Sequence, residues 1–292
     1  MRITNSIVQR TALEGLQRNL SKIVDSQTTA STGLRVRAMS DDPNAASEIL
    51  RADGSLRAIE QFKRNIGSAD GRLSAEENVL DQVTTTLERA NELATAQGSS
   101  TADASTRLVA KSEVDQLLEF VRGLGNLQHE GDYLFGGVKS DVAPFSATPP
   151  SSATPPVGTR QAEISAGLMV KQNHNGDEVF LKTGVFAALE KLSTALGAND
   201  QAGIAATLAD LDQSHSQVQQ LVGEVGARSA QLQITGANLD ALNGQLQIRK
   251  SGLQEADLDE TFTELARRQT AYQSAMLATS RIMSMSLTDY LR

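Results

Sequence analysis

Few side chains in this sequence stand in patterns that could do chemistry, and each pattern has a simpler reading. The three histidines, His129, His174 and His215, fall on a turn, an expected hairpin and a helix face. None has the His-x-x-x-His spacing that brings two imidazoles onto one metal ion. His215 follows Asp212 by three residues, which on a helix describes a solvated pair. Gly136-Gly137-Val138-Lys139-Ser140 imitates the end of a phosphate-binding loop, but Val138 separates glycine from lysine and the leading glycine is misplaced. Asp41-Asp42 and the group Asp257, Asp259 and Glu260 could face a cation. Both also fit helix starts, where carboxylates meet the positive end of the backbone dipole. Asn19-Leu20-Ser21 matches the glycosylation pattern, which is short enough to recur by chance. Thiolate nucleophiles, thiolate metal sites and disulfides are excluded, because the chain has no Cys. We expect no catalytic residue, no metal, no cofactor and no enzymatic activity.

What remains for the chain to do is packing, and its composition suits that. Its 292 residues include 35 acidic and 27 basic side chains, a net charge of -8. That balance argues against nucleic acid as a partner, which calls for a basic surface. Membrane insertion is not expected either, since no apolar run approaches the roughly 18 residues of a span. The N-terminus lacks the apolar stretch of a cleaved secretory signal. With no Trp, 3 Tyr and 7 Phe, any core must be mostly aliphatic, and an Ala/Leu/Gln-rich chain favours long helices.

Proline placement divides the chain. Five of six prolines lie between Pro144 and Pro156, so the stretch 148–156 reads as a surface loop. The sixth, Pro43, follows Ser40-Asp41-Asp42, a helix start with cap, acidic first turn and proline in its preferred place. Beyond it Ile59, Ile66, Leu73, Leu80, Leu87 and Ala94 recur every seven residues. A second row runs Phe62, Ala69, Glu76, Val83, Ala90 and Gln97, giving a coiled-coil stripe. Gly54 weakens this helix, and a break near Asp53-Gly54 is a possibility the pattern leaves open. A helix of about twenty residues follows around Leu108–Leu124. Alternating stretches at 161–165 and 168–172 then imply strands, and Asn175-Gly176-Asp177 a hairpin turn. The cleanest repeat is Leu211, Val218, Val225, Leu232, Leu239, Leu246 and Leu253, expected to pack antiparallel on 55–97. The fold class is therefore mainly α: a long antiparallel bundle from both chain halves, with a small β-rich insert. Three parts are expected: 1–40 with 255–292, 41–130 with 183–254, and the insert 131–182.

The two ends match one another. Leu13, Leu16, Leu20, Ile23 and Leu34 alternate steps near the start. Leu258, Leu265 and Tyr272 in one row, with Phe262, Met276 and Met283 in another and Leu287 beyond, do so near the finish. Ser, Thr and Gln interrupt both stripes, so neither helix is stable alone in water. Residues 1–40 carry a net +4 against -12 for 41–248. Either the ends pair as one more coiled coil within the molecule, or they order only among other copies. An organelle transit peptide would fit the Arg-rich start but not Glu14, Asp25 or the C-terminal counterpart.

Ser31-Thr32-Gly33-Leu34-Arg35-Val36, followed by Ser40-Asp41-Asp42-Pro43-Asn44-Ala45-Ala46-Ser47, resembles the bacterial flagellin superfamily. Flagellins usually follow the two aspartates with Ala, so Pro43 favours the hook-associated members at the hook–filament junction. Asp132-Tyr133-Leu134-Phe135-Gly136-Gly137, Glu224-Val225-Gly226-Ala227-Arg228 and the final Ser286-Leu287-Thr288-Asp289-Tyr290-Leu291-Arg292 agree. The resemblance implies a structural adaptor of the flagellum whose terminal helices polymerise. It also implies export through the flagellar type III apparatus with a chaperone, and an extracellular location. Copies of itself in a ring, a hook-side junction protein and flagellin are the implied partners. On this reading the assembly interface is Leu13, Leu16, Leu20, Ile23, Leu34, Leu258, Phe262, Leu265, Tyr272, Met276, Met283 and Leu287, with Ser40, Asp41, Asp42 and Pro43 as helix cap. Flagellin itself, or a coiled-coil scaffold folded on its own ends, are the alternatives.

Overall fold

The structure is a computed structural model, and it describes residues 2–99, 102–145 and 155–290. Most of the proline-rich stretch 148–156 falls outside them. Among the described residues six α-helices carry the fold: α1 (Arg2–Thr32), α2 (Pro43–Gln97), α3 (Ala104–Gly125), α4 (Val185–Gly197), α5 (Gln201–Gln254) and α6 (Leu258–Tyr290). Between α3 and α4 lie two short antiparallel pairs, β1 (Gln128–His129) with β2 (Asp132–Tyr133), and β3 (Gln161–Ser165) with β4 (Leu168–Lys171). Two compact units result, one of residues 58–241 and one of 1–57 with 242–292, and the division falls inside α2 and α5.

In the 58–241 unit, α2 and α5 run antiparallel. Lys63 meets Asp240 at 2.5 Å, Asp70 accepts from Ser229 at 3.3 Å, and Asn91 meets Asp212 at 2.7 Å. Partners thus descend along α5 as they ascend along α2. The two heptad rows fill the seam: Leu73, Leu80 and Leu87 face Leu211, Val218, Val225 and Leu232, all of them buried. Each such side chain contributes roughly 1.5–3 kcal/mol. Helix α3 starts at Asp103, whose carboxylate accepts from the Thr106 amide at 2.7 Å. It packs on α4 and adds Val114 and Val121 to the same core. α2 continues unbroken through Gly54, because buried Ile49, Ala52 and Ile59 on either side outweigh the ~1 kcal/mol a helical glycine costs.

The insert closes onto this core rather than folding apart from it. Phe135 and Phe145 meet Phe180 edge-on, and Phe145 edge-on and Phe180 stacked meet Phe186 of α4, with centroids 5.0–5.4 Å apart. Strands β3 and β4 turn Ala162, Ile164 and Val170 inward, and Asn65 of α2 donates to the Glu163 carbonyl at 2.7 Å. One expectation is corrected here. Residues 177–181 form a single π-helical turn, not a hairpin strand. The side chain of Asn175 accepts from the Glu178 amide at 2.9 Å and so starts that turn. Val179 and Phe180 are adjacent and both fully buried, whereas a strand would send them to opposite faces.

Candidate functional site

In the other unit, the motif Ser31–Val36 makes a crossing between the two chain ends. Gly33 ends α1 with φ +71°, a conformation that favours glycine, and its amide bonds back to the Thr29 carbonyl at 2.8 Å. Leu34 pairs with Glu255 as an antiparallel bridge. The amides of Arg35 and Val36 both donate to the Gln254 carbonyl, and the Arg35 guanidinium reaches the Leu253 carbonyl at 2.7 Å. Val36, Ala45, Ala46 and Ile49 close a small core there with Leu253.

The two aspartates before Pro43 divide the capping work. Asp42 accepts from the Ala45 amide at 3.0 Å and caps α2, whose first residue is Pro43. Asp41 instead accepts from the amides of Arg37 and Ala38, both at 3.0 Å, so it holds the preceding turn and not the helix. Ser40 lies in the turn just before Asp41 and adds a small lowering effect on that carboxyl. These backbone donors hold both carboxyls below their ordinary range. At the opposite end Asp257 caps α6 by accepting from the amides of Asp259 and Glu260.

Helices α1 and α6 pair, and the pairing sorts the apolar residues of both ends into two sets. Leu16, Ile23, Leu34, Leu265 and Tyr272 are half-buried. Polar bonds mix with them: Arg268 donates to the Lys22 carbonyl and to Ser26, each at 2.9 Å. Leu13 (51% exposed), Leu20 (46%), Phe262 (55%) and Met276 (48%), with Leu258, Val24 and Leu277, stay in solvent after pairing. The side chains of Met283 and Leu287 lie outside the described residues. Asn19 of the glycosylation-like triplet sits half-buried on α1.

The residues with catalytic potential are placed in structural roles. Among the described residues no cluster of His, Asp and Glu is arranged to hold a metal ion, and no helix is long and apolar enough to cross a membrane. Asp212 binds Asn91, and His215 faces Glu88 at 3.5 Å. Gly136-Gly137 forms a tight turn with φ +65° at Gly137, and a side chain there would collide with the Val157 carbonyl.

His174 is the residue whose place in the structure periodicity could not foresee. It is 3% exposed, and its Nδ1 lies 2.6 Å from Glu76, the one carboxylate inside the α2 stripe, itself fully buried. Nε2 lies 3.2 Å from Glu224 and 2.9 Å from Arg228, both on α5. A Glu in an apolar row was the available signal, because a buried carboxylate requires a partner.

Similarity to known proteins covers nearly all of this arrangement. The bacterial flagellin N-terminal helical region matches residues 3–140 and the C-terminal helical region residues 208–291. Flagellar hook-associated protein 3 of Escherichia coli K12 is 25% identical over 98% of each chain. Flagellin of Bacillus subtilis 168 is 23% identical over the whole of both. In fold, the chain is similar to the flagellar junction protein FlgL of Legionella pneumophila, with a TM-score of 0.59, 16% identity, and 72% of this chain and 99% of that one covered.

Proposed function

Because the chain belongs to the bacterial flagellin family, we propose that it is a structural adaptor of the bacterial flagellum, joining the hook to the filament. The observation that carries this reading is the apolar set Leu13, Leu20, Phe262 and Met276 left in solvent once α1 and α6 have paired. Exposed apolar side chains repeated along paired helices are a surface for further helices. Those helices belong to other copies in a ring, to a hook-side junction protein below and to flagellin above. The half-buried set, Leu16, Ile23, Leu265 and Tyr272, holds the pair together, with Leu34 at the crossing beside it; Met283 and Leu287 continue the apolar spacing in the sequence. The chemistry is packing, with no catalysis. The chain leaves the cell through the type III export apparatus with a chaperone and works outside it. The higher identity to hook-associated protein 3, 25% against 23% for flagellin at similar coverage, supports the adaptor over flagellin.

Purified protein mixed with filament seeds and a precipitating salt, viewed by negative-stain microscopy, tests the assignment. The adaptor does not grow long filaments alone, and limited proteolysis clips its ends to a core of about residues 41–255. Long regular filaments would identify a flagellin instead, and absence of filaments with protease-resistant ends would leave a self-contained scaffold.

A further inference from the structure

We propose that His174 is a protonation-controlled clasp: its charged ring bridges Glu76 of α2 and Glu224 of α5, fastening the insert to both helices, and loss of the proton releases the Glu224 side. The geometry makes the two nitrogens unequal. Glu76 accepts from Nδ1 at 2.6 Å and from the His174 amide at 3.2 Å to each oxygen, so it holds the residue whether the ring is charged or neutral. Nε2 stands between an acceptor, the Glu224 Oε2 at 3.2 Å, and a donor, the Arg228 Nη2 at 2.9 Å. That nitrogen can donate to Glu224 only when protonated and accept from Arg228 only when it is not. Its protonation therefore chooses its partner, and the two candidates already bond to each other at 3.0 Å.

Charged groups stand on every element around the ring, and Glu76, Glu224 and Arg228 act on it directly. Helix α2 supplies Glu76 and, one turn earlier, buried Arg72; α5 supplies Glu224 and Arg228. The insert contributes Glu178, which accepts from the Asn175 amide, and the Asp132–Arg160 pair, which acts on Arg72. Burial pushes His174 down. The hydrogen bond and charge of Glu76, helped by Glu224, outweigh that and the opposing Arg228, so the ring holds its proton above the ordinary 6.5. A histidine raised in this way stabilises fully below pH 6.5, and that stability is lost as pH rises through the folded value. The residues beside it carry the consequence outward. Asn173 donates to the Leu134 carbonyl at 2.5 Å, and the Gly176 amide to the Phe135 carbonyl at 2.9 Å. Exchange of the Glu224 ion pair for the single Arg228 bond at 174 thus weakens the hold of α5 on the insert, while Glu76 keeps its grip and the heptad seam stays closed.

The test uses the full chain. Ring resonances of His174, identified with H129N and H215N, are followed from pH 5 to 9 alongside amide hydrogen exchange corrected for its intrinsic rate. The ring should titrate above 6.5. Over the same window the opening constant of amides 160–176 should rise about tenfold per pH unit while α2 and α5 stay protected. Replacing the exposed Glu224 by Gln should lower the ring midpoint and narrow that window, with unchanged circular dichroism. A midpoint at or below 6.5, flat exchange while the ring titrates, or no response to E224Q overturns the clasp.

Discussion

Arg107 shows how a single buried cation can end one helix and start the next. Its Nε donates to the Gln97 carbonyl and one Nη to the Ser99 carbonyl, both at 3.1 Å, and the other Nη reaches Asn199 at 2.5 Å. Carbonyls left open at the end of α2 are thereby satisfied by a side chain from α3. Arg107→Ala should destabilise the protein by about 2 kcal/mol, the range for a lost charged hydrogen-bond set, and denaturant unfolding would register it. Gly137 is constrained in a different way: its φ and the Val157 carbonyl leave no room for a side chain. Gly137→Ala should therefore lower the melting temperature, whereas Ala at open, helical Gly223 should not. Neither role was legible in the sequence. Arg107 looked like any charge on an amphipathic helix, because its acceptors come from elsewhere in the chain.

Helices show the opposite balance, since periodicity alone located them. Five of the seven heptad residues from Leu211 to Leu253 are buried, and Leu246 and Leu253 are half-buried. Leu232→Ala should cost about 3 kcal/mol, from the lost burial of the side chain together with the cavity left behind, read as a drop in the denaturant midpoint. At the ends periodicity ran out. It grouped Leu20 with Ile23, although α1 turns Ile23 toward α6 and Leu20 toward solvent. Leu20→Asp or Met276→Asp should abolish incorporation into flagella with an unchanged melting temperature. Ile23→Asp should in addition loosen the α1–α6 pair, seen as faster proteolysis of both ends. Loss of melting temperature in Leu20→Asp, with motility intact, would place that residue in the monomer core instead.

For the molecule as a whole, charge sets a pH range of greatest stability. Asp41, Asp42, Asp103 and Asp132 all titrate below the ordinary 3.8, the first three through backbone amides and Asp132 through Arg160. A lowered carboxyl stabilises above its ordinary value, and that contribution is lost as pH falls through the folded one. His174 acts with the opposite sign above 6.5. The denaturant midpoint should therefore fall on the acid side of 3.8 and again, more locally, on the alkaline side of 6.5. A midpoint that climbs steadily toward acid would contradict the carboxylate assignments.

The sequence by itself determined the long helices, their seam and the β3–β4 pair. Those depend on apolar spacing along one segment, and spacing is written in the order of residues. It also marked the motifs at 31–47 and 132–137 without saying why glycine and aspartate stand there. Tertiary structure decided the rest. It drew His174 to Glu76 across 98 residues of chain, turned 177–181 into a π-helical turn, and divided the ends into paired and exposed sets. Each of these depends on which distant groups arrive beside a side chain. A buried charge or a half-covered stripe has no energy of its own until its partners are in place.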